Sequence, residues 1–360
     1  MAGKRKTSAK TLDRWDDPPR NSSPPDFDNL LAVLQRRAPK RPTLFEFFLN
    51  GRLYERLAGG DVPGGLSERL LGPVRALRAY YHAGYDYVTV GVPRFGFPSG
   101  QAARLATRSI NDGAVVVDRA SFDAYAWPEA AAADYAILDD LAAYLPKGMK
   151  LVVYGPGGVE ENVISLVGYE RLCLLMADDP VLVEDIFAAV GSRLVRYYEL
   201  AAKPATVGAC IANDDWGFKT QPLLSPRDMD RYLFPWHQRI VEAIHAAGKP
   251  AILHSCGNQG TVLEAMITRL KYDGRHSYED AIQPVENAYE QCVGRIAVLG
   301  GIDVDFITRS TPAEIYARSG AMLDRTAQRG GYALGTGNSV PEYIPDEHYF
   351  AMIRAALDRR

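Results

Sequence analysis

His254-Ser255-Cys256-Gly257-Asn258 closes the apolar run Pro250-Ala251-Ile252-Leu253. In a strand, residues two apart point to the same face. A strand ending here therefore aims the His254 imidazole and the Cys256 thiol in one direction, and Gly257 lets the backbone turn sharply behind them. An imidazole nitrogen and a soft sulfur converging in this way make half of a Zn²⁺ site. The same pair also suits a base beside a reactive thiol.

The surrounding elements decide whether other groups reach that point. Short apolar or β-branched runs alternate with stretches of helical period. The expected strands are Pro42–Phe48, Asp86–Val92, Lys150–Tyr154, Thr206–Ala212, Pro250–His254, Ala281–Pro284, Ile296–Leu299 and Tyr332–Gly335. Expected helices between and after them include Pro180–Leu200, Ser225–Ala247, Thr261–Leu270, Thr311–Arg329 and Pro345–Leu357. Asp179-Pro180 and Ser225-Pro226 read as a capping side chain followed by Pro at the first helical position. Thr311-Pro312-Ala313-Glu314 adds the glutamate of a capping box. Eight β/α units predict a single (β/α)₈ TIM barrel over residues 27–360, with a flexible N-terminal tail over 1–26. A doubly wound sheet is the rival, and it lacks an early strand–GxGxxG–helix unit.

Chemistry in such a barrel sits at the C-terminal ends of the strands. Those ends carry Glu46 with Asn50 and Arg52, Arg94, Tyr154, Asp214-Asp215-Trp216, His254 and Cys256, Gln283 and Glu286, Gly300-Gly301-Ile302-Asp303, and Gly337-Asn338-Ser339. Each has a plain alternative. Asp214 or Asp215 can cap a loop, Trp216 can pack, Asp303 can cap the next helix, and Arg94 can pair on the rim. The glycines after the last two expected strands can admit an anion or only shape turns. His276 precedes the sixth expected strand, which places it at the far end of the barrel in a structural role. His82, His237 and His245 lie in helical patterns, Cys210 within a strand and Cys292 on a helix.

A chain of 360 residues with net charge −3 has no electrostatic reason to bind nucleic acid or an acidic membrane. The four cysteines are widely spaced, as in a reduced cytoplasmic protein. No apolar stretch reaches membrane-spanning length, and Lys4-Arg5-Lys6 leads into no signal-peptide core.

At its strand-end residues the chain resembles the uroporphyrinogen decarboxylase superfamily. The resemblance runs from about residue 38 to the end. It is densest in Asp214-Asp215-Trp216-Gly217, Gly248-Lys249-Pro250, His254-Ser255-Cys256-Gly257-Asn258, Gly300-Gly301-Ile302-Asp303 and Gly337-Asn338-Ser339-Val340-Pro341. It implies a (β/α)₈ barrel and two chemistries. The decarboxylases bind substrate carboxylates with a motif shaped like Pro-x-Trp-Phe-Met-Arg-Gln-Ala-Gly-Arg. Here Pro42 to Arg52 lacks the first arginine, puts Glu46 near its place and offers Arg52 one residue out of register. The decarboxylases also place an Asp at the end of the second strand, where Val88-Thr89-Val90 stands.

The methyltransferase branch holds Zn²⁺ on a His-x-Cys pair and a later Cys. Here His254 and Cys256 match, while Asn338 stands about where the later Cys would be. The resemblance therefore implies methyl transfer between a small methylated substrate or thiol and a corrinoid protein, assisted by Zn on His254 and Cys256. Glu46, Asp214 or Asp215 would complete the metal site or act as catalytic groups. Arg94, Trp216, Tyr154, Asp303 and Asn338 would line the substrate pocket. The alternative is a metal-free decarboxylase or lyase, with Asp214 or Asp215 as acid/base and Arg94 or Arg52 as anion clamp. A third class is a barrel that only binds a ligand. By analogy with the decarboxylases, a homodimer is expected.

Overall fold

The computed structural model describes residues 15–19, 21, 23–100 and 110–360. Seven parallel strands run in chain order across one sheet: β1 (Tyr87–Gly91), β2 (Lys150–Tyr154), β3 (Val207–Asn213), β4 (Ala251–His254), β5 (Gly274–His276), β6 (Ala297–Leu299) and β7 (Tyr332–Ala333). Every adjacent pair is parallel. Helices join successive strands, and the strands are buried. The result is a TIM-barrel-like α/β fold.

Two of the eight expected strands differ. Ala281–Pro284 is not a strand; it leads into the helix Val285–Cys292, and the strand at this position is the earlier Gly274–His276. Its polar residues hide it from a search for apolar runs. The other is Pro42–Phe48, which is reduced to a single parallel bridge, Leu44 to Leu334. There Phe45 N donates to Leu334 O and Leu334 N to Thr43 O, both at 2.8 Å.

On its other flank this segment meets β1 through side chains. Tyr87 Oη accepts from Glu46 N and donates to Glu46 O, each at 2.7 Å, and Thr89 Oγ1 donates to Phe47 O at 2.8 Å. Hydroxyls thus satisfy buried peptide groups where a ladder is missing.

The cap assignments stand. Asp179 accepts from Leu182 N, Ser225 from Asp228 N, and Thr311 forms a capping box with Glu314. The helix from Pro226 does not run unbroken to Ala247, because a π-helical turn, Met229–Leu233, precedes Phe234–Ala246. Likewise a 3₁₀ turn, Gly260–Val262, and a π turn, Ala265–Arg269, occupy the expected helix Thr261–Leu270.

Of the expected tail, residues 1–14, 20 and 22 lie outside the described residues. The remainder packs against the body. Trp15 packs against Tyr316, tilted, with ring centroids 5.6 Å apart, and Arg56 and Arg354 donate to the carbonyls of Asp16 and Asp17. No described helix is long and apolar enough to cross a membrane.

Replacing Tyr87 by Phe removes both bonds to the Glu46 peptide. Leaving a buried polar group unpaired costs about 1–3 kcal/mol, so chemical denaturation of Tyr87→Phe should show a loss of that order. An unchanged midpoint would mean that the hydroxyl does not hold this seam.

Candidate metal centre

Strand register sets the centre. In the parallel pairing His254 stands opposite Asn213 on one side and His276 on the other. His254 and His276 therefore end neighbouring strands in one row, with side chains on one face. Their Nδ1 atoms are 2.7 Å apart. Nε2 of His276 lies 3.2 Å from the Thr336 carbonyl, which can only accept. His276 must therefore carry its proton on Nε2 and accept at Nδ1. The proton between the rings then belongs to His254 Nδ1, which leaves the lone pair of His254 Nε2 free. Burial pushes His276 down to about 4 and His254 well below its ordinary range, so both rings are neutral near pH 7. A neutral imidazole with one nitrogen tied and the other bare is the form that binds a metal.

Facing that lone pair are Cys256 Sγ and Asp215 Oδ1, each 4.0 Å from His254 Nε2. The three ligand atoms lie within 4.8 Å of one another. In a tetrahedral zinc site donor atoms stand roughly 3.5 Å apart, as follows from the usual zinc–ligand distances, so small side-chain movements suffice. The donor set of one imidazole, one thiol and one carboxylate fits Zn²⁺ and leaves a position open for a substrate atom. Burial, and then the Asp215 charge, push the Cys256 thiol up to about 12. A cation offsets both effects. The Asp215 carboxylate is 41% exposed and marks the open side.

The backbone holds these groups in place. Cys256 N donates to Asp215 Oδ1 at 2.8 Å, and Asn338 Nδ2 donates to Cys256 Sγ at 3.3 Å. Gly257 has φ +90°, and an added Cβ would lie 2.2 Å from the Gly217 carbonyl. Only glycine allows the strand-end loops to meet this closely. The Phe47 ring packs against His254 at 4.7 Å. Tyr154 lies edge-on to Phe47 and Phe48 and lines two cavities of about 250 and 440 Å³ at the ends of β1 and β2.

Several expected site residues are placed elsewhere. Asp214 is fully buried, accepting from Glu160 N and Glu161 N at 2.9 Å and pairing with His237 Nε2 at 2.8 Å. It caps the helix Val159–Val167 from a neighbouring strand end, where helix N-termini favour a carboxylate. With both oxygens bonded and no exposed surface, Asp214 braces the site instead of acting in it. Trp216 has no exposed surface and packs on Phe234 and His237, so it cannot stack on a substrate. Asp303 accepts from Phe306 N as a helix cap and from Asp280 N. Arg52 is spent on Asp346 Oδ1 at 2.7 Å and on the carbonyls of Ile344 and Glu342. Arg94 is exposed, with φ +67°, on the rim after β1. At Gly300 an added Cβ would strike the Thr336 carbonyl at 2.3 Å, so this glycine serves the packing that orients His276, not an anion.

Glu46 is buried and lies outside the Asp215–His254–Cys256 group. Its Oε1 accepts from Thr336 N and its Oε2 meets Thr336 Oγ1, both at 2.7 Å. Burial raises it to about 8, so near neutral pH it is largely protonated and can donate to that hydroxyl. Glu46 thus steadies Thr336, whose carbonyl fixes His276. Sequence reading missed His276 and Thr336. His237, expected only to lie in a helical pattern, proves to be the buried partner of Asp214. Polar residues in a buried strand were the only available signal for His276.

The sequence pattern of the family Uroporphyrinogen decarboxylase (URO-D) matches residues 155–358, more than half of the chain. Comparison with curated proteins gives no match. Among solved structures, a methyltransferase from Methanosarcina mazei superposes with a TM-score of 0.66 at 15% identity, covering 91% of this chain and 97% of the other. A Listeria monocytogenes protein assigned as a vitamin-B12-independent methionine synthase gives 0.49 at 13% identity, covering 89% and 98%.

Two predictions follow from this geometry. An unfolded Glu46 loses its proton near 4.5, whereas the folded protein holds it to about 8. Its contribution to stability is complete below pH 4.5 and is lost progressively up to pH 8. Glu46→Gln keeps the acceptor for Thr336 N and removes the titration. Denaturation across this range should therefore show a shallower decline with pH, the remaining slope coming from the other carboxyls that burial raises, Glu160, Glu161, Asp215 and Asp86. An unaltered slope would count against a protonated Glu46. The two aspartates should also separate. Asp214→Ala orphans two buried donors and one part-buried donor and should cost ~3 kcal/mol, while Asp215→Ala should change stability little and lower the uptake of added zinc. Equal effects in both assays would contradict the division of roles.

The match over residues 155–358, on a TIM-barrel-like fold, places this chain in the uroporphyrinogen decarboxylase family.

Proposed function

We propose that this chain is a methyltransferase of the family, with Zn²⁺ held by His254, Cys256 and Asp215. In this reading it moves a methyl group between a small methylated substrate or thiol and a corrinoid carried on a separate protein. The observation that carries the reading is the bare Nε2 of His254 facing a thiol and a carboxylate within 4.8 Å. The likeness to a structure named a methyltransferase agrees with it. We read Pro42–Phe48 as the eighth stave of the barrel, bridging to the β7 side and hydroxyl-bonded to β1.

When bound, zinc would lower the pKa of a substrate thiol or polarise the atom that gives or takes the methyl group. The residues supply the rest. His276 and Thr336 keep His254 in its ligand tautomer. Asn338 donates toward the Cys256 sulfur and so favours its thiolate form. Asp215, on the exposed side, leaves an approach for substrate. Phe47, Phe48 and Tyr154 form an aromatic wall beside that approach and limit water around the reacting atoms. The metal-free lyase keeps only Asp215 and Arg94 of its expected groups, because Asp214 and Arg52 are committed to structural bonds.

The test is to load the purified protein with zinc and mix it with methylcobalamin and a panel of small thiols, following loss of the methyl–cobalt absorbance. About one zinc per chain should bind, and demethylation should depend on it. His276→Gln should weaken zinc binding by about 10–100-fold, the usual effect of losing the partner that orients a metal-bound histidine. Absence of stoichiometric zinc, or retention of zinc by a Cys256→Ala, Asp215→Ala double variant, would overturn the reading.

A further inference from the structure

Behind the Cys256 loop lies a cavity of about 280 Å³ that none of the three metal-ligand residues lines. It sits between the turn after β4 and the segment that joins β5 to the next helix. Its wall holds Arg275, Gln259, Ser277, Tyr278, Glu279 and Ile282. Arg275 neighbours His276 in β5, so its side chain leaves the opposite face of the strand from the metal centre.

Arg275 is only 7% exposed, yet no carboxylate lies within ion-pair distance of it among the described residues. Its one protein hydrogen bond there is to the Ser277 carbonyl at 3.3 Å. Its guanidinium lies over the Tyr278 ring at 4.7 Å, which offsets part of the cost of burial. Arg275 Nε, Tyr278 Oη and Gln259 Oε1 are all buried without a partner among the described residues. Gln259 and Tyr278 are 1% and 4% exposed. A buried cation without a counter-ion, and three buried polar atoms left open around one cavity, are costly unless a ligand completes them.

We propose that this cavity is a binding site for a small zwitterion. Its carboxylate pairs with Arg275 and the Tyr278 hydroxyl. Its ammonium group is taken by Glu279, partly buried in the same wall, and by the open acceptor of Gln259. One cation and one carboxylate in the wall match a ligand with one charge of each sign, and they disfavour a dianion such as phosphate. The loop Gly257–Gly260 belongs to this cavity and also follows Cys256 directly, so ligand and metal sites share one wall.

The test is calorimetric titration of the full-length protein with glycine, β-alanine and 4-aminobutyrate, alongside acetate, propionate, butyrate and inorganic phosphate. At least one amino acid should saturate and bind at least tenfold more tightly than its matched carboxylate and than phosphate. Arg275→Gln and Ile282→Trp, which fills the cavity without touching a charge, should each reduce that binding at least tenfold. If Arg275→Gln fails to fold, Ile282→Trp decides. Zinc content is measured on the same samples, so failure of this site is told apart from failure of the metal centre. No saturable binding by any amino acid, equal binding of the matched carboxylate or phosphate, or binding unaffected by Ile282→Trp would overturn the proposal.

Discussion

The hydrogen bond between His254 and His276 is the interaction on which the centre depends. It exists because β4 and β5 are parallel and in a register that sets the two rings side by side at the ends of adjacent strands. The Thr336 carbonyl fixes one ring, that ring fixes the other, and the outcome is a lone pair aimed at Cys256 and Asp215. Three groups near three strand ends thereby convert backbone register into a bare imidazole nitrogen beside a thiol and a carboxylate.

The surrounding polar groups serve that chain. Thr336 is held by Glu46, which burial keeps largely protonated near neutral pH, and Glu46 is held at its peptide by Tyr87 across the seam between Pro42–Phe48 and β1. On the other side, Asp214 ties a helix N-terminus and His237 to the end of β3 and so sets the backbone from which Asp215 extends. Adjacent aspartates thus take different work: one is saturated and buried, the other open to the site. The close approach at Gly257 locks the turn that brings Cys256 back toward Asp215.

Much of this was legible in the sequence. The apolar run ending in His-x-Cys pointed to the strand, its end and two of the three side chains that meet there, because a strand's period of two is a local property. The caps at Asp179, Ser225 and Thr311 were readable for the same reason. Other features depend on distant partners. Arg52 looks like an anion clamp until its pairing with Asp346, 294 residues away, is seen. Trp216 and Asp303 sit at strand ends as expected, but backbone direction turns one into the core and makes the other a cap. His276 was misplaced because Gly274–His276 is a buried strand without an apolar run, and the nearby Ala281–Pro284 imitated one. No local pattern distinguishes Asp214 from Asp215; only the path of the chain after β3 does.

The most direct measurement of the central claim is zinc K-edge X-ray absorption on the zinc-loaded protein, with Cys256→Ser as its comparison. The account predicts one sulfur at about 2.3 Å and nitrogen or oxygen neighbours at about 2.0–2.2 Å, with the sulfur lost in the variant. A zinc surrounded only by nitrogen and oxygen, or one whose sulfur persists in Cys256→Ser, would contradict it.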